Sequence, residues 1–370
     1  MKIAIIHDWL IKERGGEKVL ERIVRLYPEA DIYTLFYRKA NLSEIFRRRK
    51  IYASILQHVP GIEKIYRYLL PIFPFLIEAF NLDAYDLVIS SSHCVAKSVR
   101  VREGALHLCY CHTPMRYAWM FQEEYLQGKF FAPLAFWFLK KIRAWDKKTA
   151  SRVHYYAANS EEVKARIFKF YNRESDVIYP PLDLVADSNL SSEGKYFLIV
   201  SALVRYKRID LAVEAFNELA LPLKIIGTGE CAEELKRQAK TNIEFVGWVD
   251  NQELKNYYRN CKALVFPGHE DFGITPIEAQ AAGKPVIAYG KGGVTETVTD
   301  YSGVFFLEQN KKSLKQAVLK FETMMFDSHK IRSHALSFNA GVFDERFQAW
   351  VNEKMRFFFG NRRNEILVKI

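Results

Sequence analysis

Two glutamates, Glu270 and Glu278, bracket the run Glu270-Asp271-Phe272-Gly273-Ile274-Thr275-Pro276-Ile277-Glu278. The apolar run Ala263-Leu264-Val265-Phe266 precedes it, and the helix-forming run Ala279-Gln280-Ala281-Ala282 follows and stops at Gly283-Lys284-Pro285. Two carboxylates thus flank a glycine turn between a strand and a helix. The N–H groups of a first helical turn have no internal acceptor and lie at the positive end of the dipole, so such a junction suits an anion. The expectation is a site for a phosphorylated sugar donor. A purely structural reading competes with it, in which Thr275 caps the helix, Pro276 takes its first position and Glu278 closes a capping box. That reading accounts for Glu278 but leaves Glu270 and Gly273 without a role.

Arg205-Tyr206-Lys207-Arg208 places three cations in four residues, just after the apolar run Tyr196-Phe197-Leu198-Ile199-Val200. Charge runs are ordinarily solvated surface. In a loop between a strand and a helix, the same cations can neutralise a diphosphate leaving group, the main electrostatic task in breaking a bond from sugar to phosphate. Metal-dependent enzymes give that task to magnesium held by an Asp-x-Asp pair, and no Asp-x-Asp occurs in this sequence. A clamp of Lys, Arg and helix-terminal N–H groups is therefore expected, with no metal and no cofactor.

Positioning such groups requires alternating strands and helices. Residues 2–7 read as a buried strand, and Gly15-Gly16-Glu17-Lys18 leads into a helical pattern over 19–24, the opening of a doubly wound unit. Gly-Gly alone is not a dinucleotide fingerprint. It serves as a tight turn before the helix or allows close approach to a phosphate or acceptor. Strands are expected at 31–36, 86–90, 106–110 and 155–158, with helical patterns between several of them. The alternation restarts with strands at 196–200, 223–227, 243–246 and 285–288, a helix capped by Asp250, and a second glycine turn at Gly290-Lys291-Gly292-Gly293.

The expected architecture is therefore α/β, with two Rossmann-like domains facing across a cleft. Residues 1–182 form the first domain, on the acceptor side, and residues 195–340 the second, which binds the nucleotide sugar. A helix over 341–370 packs back on the first. Polar residues 187–194 read as the linker, and a hinge near 180–195 would let the domains close and exclude water.

Composition narrows the function classes. The chain has 370 residues, 49% of them hydrophobic, enough for two cores. It contains no apolar stretch of the roughly 18 residues that a membrane span needs, and its first residues lack a signal-peptide layout. A cytoplasmic protein is expected. Five scattered cysteines, Cys94, Cys109, Cys111, Cys231 and Cys261, argue against a disulfide framework. Cys109-x-Cys111-His112 has no second pair of ligands nearby, so buried thiols on a strand are the simpler explanation.

The net charge of +11 is uneven, since residues 1–183 hold 29 Lys and Arg against 20 Asp and Glu, and residues 184–370 hold 25 against 23. The basic residues are dispersed and form no nucleic-acid module, so nucleic acid is not an expected partner. An anionic lipid or a phosphate-linked acceptor fits better. Two aromatic and basic segments, 65–76 and 130–141, read either as core helices or as elements at a membrane interface on the inner face.

Taken in order, several short motifs resemble one family over nearly the whole chain. They are Gly15-Gly16-Glu17-Lys18-Val19-Leu20-Glu21, Ser90-Ser91-Ser92-His93, Cys111-His112-Thr113-Pro114-Met115-Arg116-Tyr117-Ala118-Trp119, Ala158-Asn159-Ser160, Tyr179-Pro180-Pro181, Tyr206-Lys207-Arg208-Ile209-Asp210 and the Glu270–Glu278 run. Each is weak alone, but the ordered set is specific. It resembles the retaining GT-B glycosyltransferases with a Glu-x7-Glu motif (glycosyltransferase family 4), and within them the O-antigen mannosyltransferases of the WbaZ type.

The resemblance implies roles position by position. Glu270 would contact donor sugar hydroxyls on the reacting face, Glu278 the nucleotide ribose, and Lys207 the donor phosphate. His112 would shape the reaction centre near the donor sugar, and Gly16 would lie against the diphosphate or acceptor. Phe272, Gly273 and Ile274 would offer backbone contacts, and Thr275 completes the donor-binding set.

The family's phosphate-binding arginine is replaced by Ala202, while Arg205 stands where the family has proline. Either Arg205 reaches the same phosphate, or activity is reduced, or the donor sits differently.

The implied activity is transfer of a hexose, mannose from GDP-mannose, with retention by a front-face route. The acceptor would be a glycan or a polyprenyl-diphosphate-linked glycan in cell-surface polysaccharide synthesis. Two alternatives stay open, a non-catalytic nucleotide-sugar binder or partner subunit, and an epimerase or phosphorylase of the same fold.

Overall fold

The computed structural model describes residues 1–11, 15–120, 132–183 and 194–368, with the backbone alone for 132–136 and 361–368. The chain divides into two compact units, Met1–Pro181 with Gly341–Ile370, and Leu182–Ala340.

The first unit is built on a parallel sheet. In chain order its strands are β1 (Ile3–His7), β2 (Asp31–Thr34), β3 (Ile51–Ala53), β4 (Leu87–Ser92), β5 (Leu106–Cys111), β6 (Tyr155–Ala158) and β7 (Ser175–Val177). They lie side by side as β3-β2-β1-β4-β5-β6-β7. The central strands are buried along their length, the pattern of a parallel sheet covered on both faces.

One face packs against the helix Gly15–Leu26, which buries Val19, Leu20, Ile23 and Val24, and against the C-terminal helix Ala340–Val368. Phe343, Phe347, Trp350 and Val351 of that helix recur at helical spacing and enter the same core. Its Trp350 indole donates to Asp176 at 2.8 Å, and Arg22 pairs with Asp344. Gly15 and Gly16 belong to the first helical turn itself, not to a loop ahead of it, as the sequence reading had them. The expected linker over 187–194 lies almost wholly outside the described residues.

The order of strands creates a switch point between β1 and β4, where the chain moves from one side of the sheet to the other. Ligands of such sheets bind beyond the carboxyl ends of the strands there. All five cysteines are buried and unpaired. Among the described residues, no helix is long and apolar enough to cross a membrane.

Two fully buried histidines in this sheet make the unit acid-sensitive. Burial, reinforced by His93, pushes His7 down to about 4, and burial with His154 pushes His107 down to about 3. A base lowered on folding is neutral in the folded chain where the unfolded chain already holds a proton, so stability must fall as pH drops below 6.5. His93 is shifted upward, because the attraction of Asp8 outweighs its burial, and is charged in both states below that pH, adding no slope. Between pH 6.5 and 5, each of His7 and His107 should remove about 2 kcal/mol of unfolding free energy. Urea midpoints measured at the two pH values check this, and equal midpoints would contradict it.

The second unit repeats the plan with β8 (Tyr196–Val200), β9 (Leu223–Ile226), β10 (Ile243–Gly247), β11 (Cys261–Phe266), β12 (Val286–Tyr289) and β13 (Gly303–Phe306). The order β10-β9-β8-β11-β12-β13 is again parallel throughout, with its switch point between β8 and β11. Helices Ile209–Leu219 and Lys311–Glu322 cover one face, and Asn251–Asn260 and Ile274–Ala281 the other. Asp250 caps its helix through a capping box with Glu253, as its place in the sequence suggests.

Candidate functional site

In the second unit, β8 runs out into the 3-10 turn Arg205–Lys207 and β11 into Pro267-Gly268-His269-Glu270, so both loops leave adjacent strands at the switch point. Their juxtaposition follows from strand order. Gly268 sits against the Lys207 backbone, where an added Cβ would lie 3.1 Å from the Lys207 carbonyl oxygen. Lys207 and Glu270 form an ion pair with side chains only 14% and 17% exposed.

Glu270 is held from behind by the β12 loop, since its carbonyl accepts the Gly293 N–H at 3.0 Å. Gly292 adopts φ +84°, and a Cβ there would fall 2.4 Å from the Glu270 carbonyl oxygen, so only glycine lets the two backbones meet.

The helix after Glu270 starts at Ile274, with Gly273 as its N-cap in the left-handed region and no side chain capping it. This overturns the capping-box reading. Thr275 and Pro276 are the second and third helical residues, so Glu278 does not occupy the third position that a capping box requires. The buried Glu278 instead accepts the Tyr258 hydroxyl at 2.9 Å. The N–H groups of Ile274 and Thr275 precede the first intrahelical acceptor, so they remain at the positive helix end to meet an anion. The Phe272 ring packs near Phe338 in the interior, leaving its backbone as what it can present.

The three cations of the Arg205–Arg208 run part company. Lys207 takes Glu270, and Arg208 folds onto Asp210 of its own helix. Arg205 is exposed and forms no ion pair among the described residues; its field is felt instead at Cys231. Ala202 is also exposed. Arg205, two residues before Lys207 in the same turn, therefore takes no part in the Lys207–Glu270 ion pair itself.

In the first unit the structure brings Gly16 onto His112, where a Cβ on Gly16 would lie 3.7 Å from the imidazole. That is ordinary contact, so His112 alone does not demand glycine at this position. Behind His112 lies a chain of hydrogen bonds that the sequence does not announce. Ser91 Oγ is 2.8 Å from His112 Nε2 and 3.1 Å from His7 Nδ1, and His7 Nδ1 is also 2.9 Å from the Ser91 carbonyl oxygen.

A carbonyl only accepts, so His7 carries its proton on Nδ1. Burial keeps this ring neutral, which leaves Nε2 a bare acceptor, buried without a partner among the described residues. The Ser91 hydroxyl, receiving from His7, can give its own hydrogen to His112 Nε2. Neutral His112 then carries its hydrogen on Nδ1.

Beside this chain, Asp8 accepts the backbone N–H groups of His93, Cys94, Val95 and Ala96 at 2.7, 3.0, 2.6 and 2.8 Å and pairs with the His93 ring at 3.0 Å. Burial opposes charge on Asp8, yet His93 and these donors hold its carboxyl well below the usual range. His7, Asp8, Ser91 and His93 escaped the site reading of the sequence. The available signal was polar residues ending two apolar strands, which becomes informative only once β1 and β4 are known to be neighbours.

Residues 183–336 match the family model described as glycosyl transferases group 1. Along most of its length the chain is 23% identical to an uncharacterized glycosyltransferase of Methanocaldococcus jannaschii, over 89% of each. It is 27% identical to O-antigen chain mannosyltransferase C of Escherichia coli, over 50% of this chain and 49% of that protein. Against alpha-1,3/1,6-mannosyltransferase ALG2 of Saccharomyces cerevisiae it is 25% identical, over 69% of this chain and 61% of that protein.

Among solved structures, Anabaena Alr3699/HepE in complex with UDP has a TM-score of 0.70 at 15% identity, covering 95% of this chain and 100% of that one. A sucrose-phosphate synthase from Thermosynechococcus elongatus has a TM-score of 0.72 at 17% identity, covering 96% and 99%. At such identities the likeness speaks for the fold, which is GT-B.

Proposed function

With residues 183–336 as a glycosyl transferases group 1 domain within a GT-B fold, we propose that the chain is a retaining hexosyltransferase that uses a nucleotide-sugar donor without a divalent cation. The observation that carries this reading is the Lys207–Glu270 pair at the β8/β11 switch point, next to a helix N-terminus that no side chain caps. Lys207 and the Ile274 and Thr275 N–H groups supply positive charge for a leaving diphosphate, while Glu270 turns to the sugar hydroxyls. Glu278, held by Tyr258, lies within the same helix to receive the ribose.

Resting Lys207 is occupied by Glu270, so donor binding exchanges a carboxylate for a phosphate on the lysine. The front-face route suits these residues, because the leaving phosphate itself takes the acceptor proton and the protein supplies positioning and charge.

The donor we propose is GDP-mannose, since relatives named as mannosyltransferases align with this chain. The acceptor is a glycan or polyprenyl-diphosphate-linked glycan on the inner face of the membrane, in keeping with the basic first half. A second reading, donor binding without transfer, is favoured by one observation, the exposed Ala202 where the resemblance calls for a phosphate-binding arginine.

A thermal-shift panel of GDP-, UDP- and ADP-sugars tests the donor site. A true donor at about a hundred times its dissociation constant should add roughly 2.7 kcal/mol of stability. If no nucleotide sugar moves the transition, the donor site assigned to Lys207 and the Ile274 helix is wrong.

A further inference from the structure

The first unit carries an apolar row that its own core does not use. The stretch from Ile62 through the 3-10 helix Tyr66–Ile72 into the helix Phe73–Glu78 buries Leu70, Phe73 and Ile77. Its other side leaves Ile65, Tyr68, Ile72 and Phe75 bare, with Tyr68 77% and Phe75 76% exposed. Single exposed apolar residues need no explanation, but four recurring every three or four positions do.

A second bare patch adjoins it. The Trp145 indole of the helix Ala132–Thr149 donates to Glu78 at 2.7 Å, and Leu139 and Ile142 pack into the same core as Phe73 and Ile77. Lys141 and Phe138 lie four and seven positions before Trp145 and so share its helix face. Trp137, 48% exposed, stands beside them with the Lys141 ammonium 3.8 Å from its ring centre.

Charge says what could cover this surface. Lys64 and Arg67 are exposed within the first row, and Lys140 and Lys141 within the second. The carboxylates of these stretches are already committed: Glu63 pairs with Arg38, Glu78 with Arg100 and Arg152, and Asp146 with Lys97 inside the core. The surface therefore interleaves bare rings with cations and offers no free acid among the described residues. Rings and aliphatic chains of this kind enter the headgroup boundary of a bilayer while lysine and arginine meet lipid phosphates.

We propose that the exposed face of residues 64–75, continued by the Trp137–Lys141 turn, docks on the anionic surface of a lipid bilayer. Docking there would hold the first unit against the membrane that carries the proposed acceptor, though the contact itself does not depend on that acceptor or on the donor site.

Flotation of the full chain with vesicles of phosphatidylcholine, with and without about 30% phosphatidylglycerol, tests it. The wild-type chain should float with the anionic vesicles and not with the neutral ones. The Tyr68→Ser/Phe75→Ser variant and the Lys140→Gln/Lys141→Gln variant should each bind at least about tenfold more weakly. Both should keep the wild-type melting temperature and the nucleotide-sugar shift, which separates a lost membrane contact from a damaged fold or donor site.

The proposal falls if the wild-type chain stays in solution at low salt, or if the serine variant floats as the wild type does. It also falls if gel filtration without lipid shows a dimer that the serine variant breaks, because the face would then belong to a second copy of the chain.

Discussion

Lys207→Met is expected to lower kcat/KM for hexose transfer about 10²- to 10³-fold, the usual effect of deleting one charge donor from a leaving-group site. Because the two side chains are only 14% and 17% exposed, Lys207→Met also strands the Glu270 carboxylate and should lower stability, so a melting curve of the variant is needed to separate that loss from the loss of transfer. Glu270→Gln should cost a comparable factor through the sugar face of the donor.

The informative measurement is the double variant. Two residues acting on one donor, and holding each other at rest, should not combine additively, so Lys207→Met/Glu270→Gln should transfer about as slowly as the worse single variant. Arg205→Ala should stay within about threefold of wild type, since Arg205 is exposed and takes no part in the Lys207–Glu270 ion pair. Transfer by Lys207→Met within about threefold of wild type would remove Lys207 from the mechanism. An inactive parent chain that still shifts with nucleotide sugar would favour the binder.

The second large effect concerns stability. Lys97 and Asp146 are 1% and 0% exposed and pair at 2.7 Å. Asp146 also accepts the Trp119 indole at 2.7 Å and the Tyr171 hydroxyl at 2.8 Å, so this one carboxylate ties together three helical segments, one of which follows the His112 loop.

Asp146→Ala would strand a buried ammonium and should cost about 3–5 kcal/mol. For a unit of this size that lowers the melting temperature by roughly 10 °C. Lys97→Met/Asp146→Leu removes both charges and should regain most of that loss. Calorimetry of the single and double variants checks it. A double variant as unstable as Asp146→Ala would mean that the Trp119 and Tyr171 contacts, rather than the stranded charge, dominate.

Much of the fold was legible because parallel strands buried on both faces must be nearly continuous apolar runs. The runs at 86–90 and 263–266 could be read in this way, and they fall within or against the strands Leu87–Ser92 and Cys261–Phe266. The glutamate run drew attention in the sequence because a purely structural reading left Glu270 and Gly273 without a role.

Local rules failed where packing chose the backbone. Thr275 is the better cap by propensity, yet the helix begins earlier at Gly273, held between Phe266 and Pro276, where a Cβ would lie 3.1 Å from the Phe266 ring. Which cation of the Arg205–Arg208 run pairs with Glu270 was not legible either: the 3-10 turn gives that place to Lys207, while Arg205 is exposed. The segment over 65–76 was balanced between core and interface, and the structure divides it, one side buried and the other bare.

By itself the sequence determined two α/β units, the uneven charge and the residue types at the candidate site, because period, apolar runs and turn residues act over a few neighbours. Only the tertiary structure decided which of three cations meets Glu270, that His7 and Ser91 stand behind His112, that Lys97 and Asp146 pair in the interior, and which face of the aromatic segment looks outward. Each of those depends on strand order or on packing between residues far apart in the chain, and no local propensity carries that information.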